Sequence, residues 1–217
     1  MGKINQGILD GFSGKVGTVV GMFWKGKPVM RGYKRFIKDR HSEAQLIVRL
    51  RFAELSRLSS VFREASLLGF ANRSKAHGNT EMNNFVQLNW EAVSANTQAE
   101  VNVEYSALQL SAGSLVPVLY GAVSYATPQT VEVGFEGCLD YPGTSERDKV
   151  YLFAYNPTSG RGMLGTGADR RSGKATLTVP ASWAGEQVHL WAFVVGGGNE
   201  NKGMASVSTY LGEGTIG

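Results

Sequence analysis

The sequence of 217 residues contains one cysteine, Cys138, so no disulfide can form within the chain. Stability must therefore come from packing, and cysteine usage gives no sign of an oxidising compartment. Long apolar runs are also missing. One of the longest, residues 188–195, includes His189, whereas a membrane-spanning helix needs about 20 apolar residues. The sequence predicts a chain without a membrane-spanning helix.

A secretory signal is not recognisable at the amino terminus. Residues 1–7 contain one basic residue and no apolar run behind it, unlike a Sec-type signal peptide. We therefore expect synthesis in the cytoplasm, either as a cytoplasmic product or as part of a virion or other particle that is released later.

Catalytic and metal-binding motifs are also lacking. The three histidines, His41, His77 and His189, are isolated in the sequence, whereas a zinc site needs about four close ligands. Residues 160–165 match the GxGxxG dinucleotide pattern, but turn-forming residues follow where a helix would have to begin. A glycine-rich hairpin loop is the better interpretation. We predict a protein that is not an enzyme and holds no cofactor and no metal.

Positive charge is concentrated in the first third of the chain. Residues 1–77 contain 15 Lys+Arg against 5 Asp+Glu, a net charge of +10. Residues 78–217 contain 7 Lys+Arg against 13 Asp+Glu, a net charge of −6. Such a split indicates two physically different parts and an acidic partner for the first. This partner is either nucleic acid or the acidic half of a neighbouring copy.

Glycine is frequent at the amino-terminal end, with eight glycines in the first 32 residues. This density disfavours a helix, because each glycine costs about 1 kcal/mol relative to alanine. Residues 16–24 are mostly β-branched or aromatic, and this pattern resumes at 28–33. We predict a β-hairpin that turns at Gly26, preceded by an extended arm before Val16.

One amphipathic helix is predicted to follow. Ser42 and Gln45 have the spacing of a capping box, and apolar residues recur with helical periodicity to about Leu68, before a stop at Gly69. A second, weaker helix is predicted over residues 81–94.

Beyond residue 100 the hydrophobic period changes to two, which is typical of strands. Turn-rich segments separate seven candidate strands, at residues 101–105, 115–123, 130–135, 149–155, 175–179, 188–195 and 205–211. Seven short strands without intervening helices favour an antiparallel immunoglobulin-like β-sandwich, with Trp183 and Trp191 as core residues. The predicted fold class is therefore α+β and mainly β. Its two domains are a basic arm, hairpin and helical region at 1–100 and the sandwich at 101–217.

The candidate site is the basic aromatic segment at residues 24–40. Its cations can neutralise phosphates while its aromatic rings stack on bases, as in proteins that bind single-stranded nucleic acids. The alternative is a solvated edge whose lysines protect an exposed hairpin from aggregation. The predicted nucleic-acid-binding or partner-binding residues are Trp24, Lys25, Lys27, Arg31, Tyr33, Lys34, Arg35, Lys38 and Arg40.

Several segments resemble a known family. They are residues 2–21, Trp24-Lys25-Gly26, Val29-Met30-Arg31 and residues 45–52, 105–115, 171–173 and 208–211. Together they resemble an uncharacterised family of small proteins from gut and aquatic Gram-negative bacteria and their mobile elements. The resemblance covers nearly the whole chain and brings no established activity and no catalytic residues. It implies a structural, phage-like role.

These observations predict a non-enzymatic structural subunit that assembles with copies of itself into a particle or filament, virion-like or bacterial. A glycine-rich arm with β-branched residues cannot bury itself, and adding a strand to the sheet edge of a neighbour would satisfy its backbone. The first alternative is a nucleic-acid-binding protein that uses segment 24–40. The second is a sandwich that binds glycans through Trp183 and Tyr141.

Overall fold

The computed structural model describes residues 3–4, 11–24, 26–36, 41–127 and 129–217. The chain divides into two units, Met1–Ser42 and Glu43–Gly217. Within the described ranges, no helix is long and apolar enough to cross a membrane.

The first unit is an antiparallel sheet whose four strands lie side by side in chain order: β1 (Lys3–Ile4), β2 (Phe12–Val16), β3 (Val19–Trp24) and β4 (Lys27–Gly32). Strands β3 and β4 form the predicted hairpin, in which Trp24 pairs with Lys27. Gly26 lies in the turn with φ 76°, a backbone conformation that glycine adopts without strain. The hairpin prediction is confirmed.

The structure does not support the predicted extended arm before Val16. Residues 12–16 form β2, which pairs with β3 through Lys15 opposite Val20 and Val16 opposite Val19. The ring of Phe12 lies over Gly21, where a side chain would collide with it. A glycine-rich segment is typical of an unpaired arm, but here a glycine allows close packing within a sheet.

Four helices begin the second unit: α1 (Glu43–Val61), α2 (Arg63–Gly69), α3 (Ala71–His77) and α4 (Glu81–Leu88). The predicted helix at 42–68 is thus interrupted at Phe62, and helical structure resumes beyond the predicted stop at Gly69. The weaker predicted helix corresponds to α4. The side chain of Thr80 caps α4 by accepting a hydrogen bond from the Asn83 N–H.

All seven predicted strands overlap strands of the second unit. A two-stranded sheet pairs β5 (Val93–Ala95) with β6 (Val101–Val103). The later strands are β7 (Leu119–Thr127), β8 (Thr130–Glu136), β9 (Lys149–Asn156), β10 (Arg161–Leu164), β11 (Ala168–Asp169), β12 (Lys174–Thr178), β13 (Gln187–Val195) and β14 (Thr209–Thr215). They form one antiparallel sheet in the order β12-β8-β7 and another in the order β10-β9-β13-β14, with β11 also paired to β9.

The two larger sheets pack face to face over one hydrophobic cluster. Val131 and Leu177 of the first sheet meet Leu152 and Leu190 of the second, and Trp183 is buried in the same cluster. Alternation along each strand directs these side chains to one face. The mainly β, sandwich-like fold expected from the strand pattern is therefore present.

The second sheet is buried on its other face as well. Trp191 and Phe193 of β13 alternate with Leu190 and pack against helix residues such as Phe62 in a second cluster. Burial on both faces explains why residues 188–195 are almost continuously apolar.

The helices thus share a core with the sandwich, and they belong to the same unit from Glu43 onward. The division between the units falls after Ser42, whereas the predicted domain boundary lies at residue 100. The helices and strands form one unit because the apolar side of the helices packs against the face of β9 and β13 that points away from the sandwich core.

Candidate partner-binding surface

Strand alternation brings part of the predicted segment 24–40 to one face of the N-terminal sheet. Arg31 pairs with Val20, Lys27 pairs with Trp24, and Lys15 also pairs with Val20. Directly paired residues in an antiparallel sheet point to the same side. We therefore define the basic face by Lys15, Trp24, Lys27, Arg31 and Tyr33.

Tyr33 follows β4 and is tied to the sheet at both its backbone and its ring. Its N–H donates a hydrogen bond of 2.7 Å to the Thr18 carbonyl. The Nζ atom of Lys15 lies 3.7 Å from the centre of the Tyr33 ring, a cation–π distance. Lys15 was not among the predicted site residues. Its position on this face becomes evident only from the pairing of β2 with β3.

Lys34 borders the basic face, because it lines one depression together with Val20, Arg31 and Tyr33. Arg35 is exposed in the segment after β4. Lys25, Lys38 and Arg40 lie outside the described residues. The structure thus gathers Trp24, Lys27, Arg31, Tyr33 and Lys34 of the nine predicted residues, and adds Lys15.

The opposite side of the sheet is apolar, and we define this apolar face by Phe12, Val16, Phe23, Pro28 and Met30. Val16, Phe23 and Met30 are 52%, 45% and 68% exposed. Gly11 packs closely against Phe23 and Pro28, where a side chain would collide. The sheet thus has one surface that carries cations and one that carries no charge.

The best-connected polar site of the second unit is a buried ion pair. Arg170 Nη1 lies 3.1 Å from Asp148 Oδ2, and both side chains are fully buried. Asp148 also accepts hydrogen bonds from the N–H groups of Ser145 and Gly197 and from the Asn201 amide. Arg170 donates its other N–H groups to the carbonyls of residues 116, 117 and 137. The pair connects several loops, and each charged oxygen and nitrogen atom has a structural partner.

His189 lies in an aromatic environment on β13. Its ring stacks on Tyr105 with centroids 4.2 Å apart, and its Nδ1 lies 2.8 Å from the Tyr210 hydroxyl. Burial lowers the pKa of His189, and the Glu213 carboxylate, 3.9 Å away, only partly opposes this shift. Burial likewise raises the pKa of Tyr105 to about 12. The packed imidazole connects β13 to β14 through its contact with Tyr210.

Of the two residues predicted to bind glycans, Trp183 and Tyr141, only Tyr141 is accessible. Trp183 is 1% exposed and belongs to the sandwich core, so its ring is not available for stacking on a sugar. Tyr141 is 58% exposed. Core packing explains Trp183, as the size of its side chain would also suggest.

The fold defines a mainly β protein with antiparallel sheets and, in the described ranges, four helices. Residues 11–212 match the model of a family of unknown function (DUF6266), and the chain belongs to this family. No curated protein matches the sequence. A similar solved structure is the solution structure of the fn3 domain of the human collagen alpha-1(XX) chain. It is 19% identical, has a TM-score of 0.32, and the match covers 49% of this chain and 84% of that one.

Proposed function

We propose that the protein is a non-enzymatic structural subunit that assembles with copies of itself into a particle or filament, virion-like or bacterial. The exposed apolar face of the N-terminal sheet is the observation that supports this proposal most strongly. An origin in Gram-negative bacteria or their mobile elements, which the sequence resemblance implies, is part of the same proposal.

The N-terminal sheet buries very little within its own unit. Among residues 11–24, 26–36 and 41–42 of this unit, Gly21 is the only one that is buried. Small sheets become stable when a hydrophobic face is covered, and large exposed apolar patches on folded proteins mark interaction sites. A partner that covers Phe23 and Met30 would supply the missing burial.

Charge favours a second copy as that partner. Residues 1–42 contain nine Lys+Arg against two Asp+Glu, a net charge of +7. Residues 43–217 contain 13 Lys+Arg against 16 Asp+Glu, a net charge of −3. Opposite charge steers the first unit of one copy towards the second unit of another. Such head-to-tail contacts produce rings when they close and filaments when they do not.

The finer fold assignment is also proposed: the sandwich is immunoglobulin-like. Three strands, β12-β8-β7, face a five-stranded sheet, which consists of β10-β9-β13-β14 and the two-residue β11. Consecutive strands β8 and β9 belong to different sheets, as do β12 and β13. Apart from the short β11, seven antiparallel strands cross between two sheets in this way, which supports an immunoglobulin-like topology.

The assembly proposal is tested by placing charge on the apolar face. The double variant Phe23→Glu/Met30→Glu is expected to sediment as a smaller species than the unaltered protein, because carboxylates cannot be buried there without a large desolvation cost. The matched control is Met22→Glu/Val29→Glu. These two residues pair with each other in the same strands and are similarly exposed, but they point to the basic side of the sheet.

Sedimentation velocity distinguishes the outcomes. Both double variants lower the net charge of the first unit by the same amount, so self-assembly through the apolar face predicts a larger loss of assembly in the first variant than in the control. If both double variants sediment like the unaltered protein, the apolar face is not the contact and the proposal fails.

Nucleic-acid binding is the second candidate, and the arrangement of the basic face favours it. Lys15, Lys27 and Arg31 lie on one side of the sheet with Trp24 and Tyr33. Cations close to exposed aromatic rings suit the backbone and bases of a single strand.

Salt dependence tests this second function. Binding of single-stranded DNA or RNA should weaken log-linearly with salt, and Lys27→Gln/Arg31→Gln should reduce the slope by about 1.4 if each residue contacts one phosphate. The control Lys149→Gln/Lys174→Gln removes the same charge from ion pairs of the second unit and should leave the slope unchanged. Absence of retention in filter binding at about 50 mM salt would reject the function.

A further inference from the structure

A depression in the second unit is bordered by α3 and two loop segments. Its volume is about 320 Å³, and it is open to solvent. One loop segment precedes β7 and the other follows β13. The described residues that line it are Asn72, Arg73, Ala76, His77, Ala112, Gly113, Ser114, Met204 and Ala205.

The helical periodicity of α3 determines which of its side chains line the depression. Ala76 and His77 follow Arg73 by three and four positions, and all three residues line the depression. Ser74 points elsewhere, where its hydroxyl accepts a hydrogen bond of 2.9 Å from the buried Asn84 amide. This buried contact fixes the helix so that the guanidinium of Arg73 borders the depression.

The opposite wall is held by close backbone packing. Gly113 lies against the carbonyl of Ala205, where a side chain would collide. The Ala205 carbonyl also accepts a hydrogen bond of 3.1 Å from the Leu115 N–H. The two loop segments therefore position each other, and the depression has a defined shape.

Arg73 is a charged group without a structural partner. Its Nε atom is buried and makes no hydrogen bond, and no other described residue forms a hydrogen bond or an ion pair with it. By contrast, the guanidinium groups of Arg57 and Arg170 are paired with acids. The terminal N–H groups of Arg73 are not among the buried atoms, and no described residue accepts a hydrogen bond from them. A ligand in the depression can accept hydrogen bonds from these groups, which lie beside the inaccessible Nε.

The lining residues indicate the charge and type of this ligand. No carboxylate side chain is among the described lining residues, while Asn72, His77 and Ser114 can donate hydrogen bonds. Ala76, Ala112 and Met204 add apolar surface. A single permanent cation matches a monoanion better than a phosphate dianion, and the planar guanidinium fork fits a carboxylate.

We propose that this depression binds the carboxylate of a small organic acid or peptide, with Arg73 as the charged partner. The aliphatic part of the ligand lies against the alanines and Met204. The proposal is independent of self-assembly, because it concerns one described surface of the second unit.

The experiment follows backbone amide resonances of the full chain during titration with N-acetyl-alanine. Saturable shifts are expected at Arg73, His77, Gly113 and Ser114, whereas N-acetyl-alaninamide, which lacks the carboxylate, should leave them unmoved. Inorganic phosphate should bind more weakly. Equal shifts with the amide, or tighter binding of phosphate, would overturn the assignment of a carboxylate site.

A pair of variants identifies the charged partner. Arg73→Gln is expected to weaken binding at least about tenfold, as the loss of a charge-assisted hydrogen bond requires. Arg63→Gln, on exposed α2 surface, should bind normally. Arg73→Lys keeps the charge without the fork and should be intermediate. Unchanged affinity in Arg73→Gln would overturn the proposal, and if that variant does not fold, unchanged affinity in Arg73→Lys would do so.

Discussion

Asp148→Asn is expected to lower the free energy of unfolding of the second unit by about 3–5 kcal/mol, a typical result of breaking a buried ion pair. The variant keeps the size of the side chain but leaves the buried Arg170 guanidinium without its counter-charge. It also weakens the acceptor of the Ser145 and Gly197 N–H groups. Urea denaturation followed by fluorescence measures the change.

The neighbouring arginine provides a control. Arg171 pairs with Glu146 at 3.2 Å, but both side chains are more than 60% exposed. Arg171→Gln is therefore expected to cost less than about 1 kcal/mol. The double variant Asp148→Asn/Arg170→Met should recover part of the loss, because it removes the unpaired charge. A loss below about 1 kcal/mol for Asp148→Asn would show that the pair does not hold these loops together.

Phe62→Ala is expected to destabilise the second unit by about 3–5 kcal/mol, because it removes a large side chain from a closed core. The Phe62 ring lies between helices and sheet: its centroid is 4.9 Å from that of Phe153, 5.3 Å from Tyr155, 5.5 Å from Trp191 and 5.6 Å from Phe85. Since this ring joins the helices to β9 and β13, the two layers should unfold in one transition.

Phe52→Ala is the matched control on α1, because this ring is 55% exposed. Its effect should stay within about 0.5 kcal/mol. Equal losses for the two variants, or separate transitions for helices and strands, would contradict a core shared between the helical layer and the sandwich. Separate transitions would instead support the predicted domain boundary at residue 100.

The strands of the sandwich were predictable because their signal is local. Apolar and polar residues alternate over 130–135, and residues 150–155 are continuously apolar. Strand β8 begins at Thr130 and strand β9 at Lys149, where these patterns begin. Residues 160–165 have the composition of a loop, and the predicted hairpin loop there is wrong because Arg161–Leu164 form strand β10. Gly162 is required in this strand since the ring of Phe153 lies over it, a cross-strand contact that composition does not reveal.

The sequence predicts the apolar side of the helices but not the sheet against which it packs. It predicts the basic segment but not which of its residues share a face. Apolar periodicity identifies Leu55, Leu58 and Phe62, but it does not show that their partners include Phe153 and Trp191, which lie 91 and 129 residues after Phe62. The basic segment is recognisable from its composition. Which of its side chains point to the same face of the sheet depends on the register between the strands, which composition does not give. Lys15 reaches the basic face only because β2 pairs with β3, and the apolar face emerges from the same alternation.

Sedimentation velocity of the unaltered full-length chain tests the central claim most directly. At tens of micromolar protein and low salt, self-assembly predicts species larger than the 23.4 kDa chain, in proportions that grow with concentration. Raising the salt to about 1 M, where the Debye length is about 3 Å, should shift the distribution towards smaller species because opposite charges no longer attract at a distance. A single 23.4 kDa species at every concentration in low salt would contradict the claim.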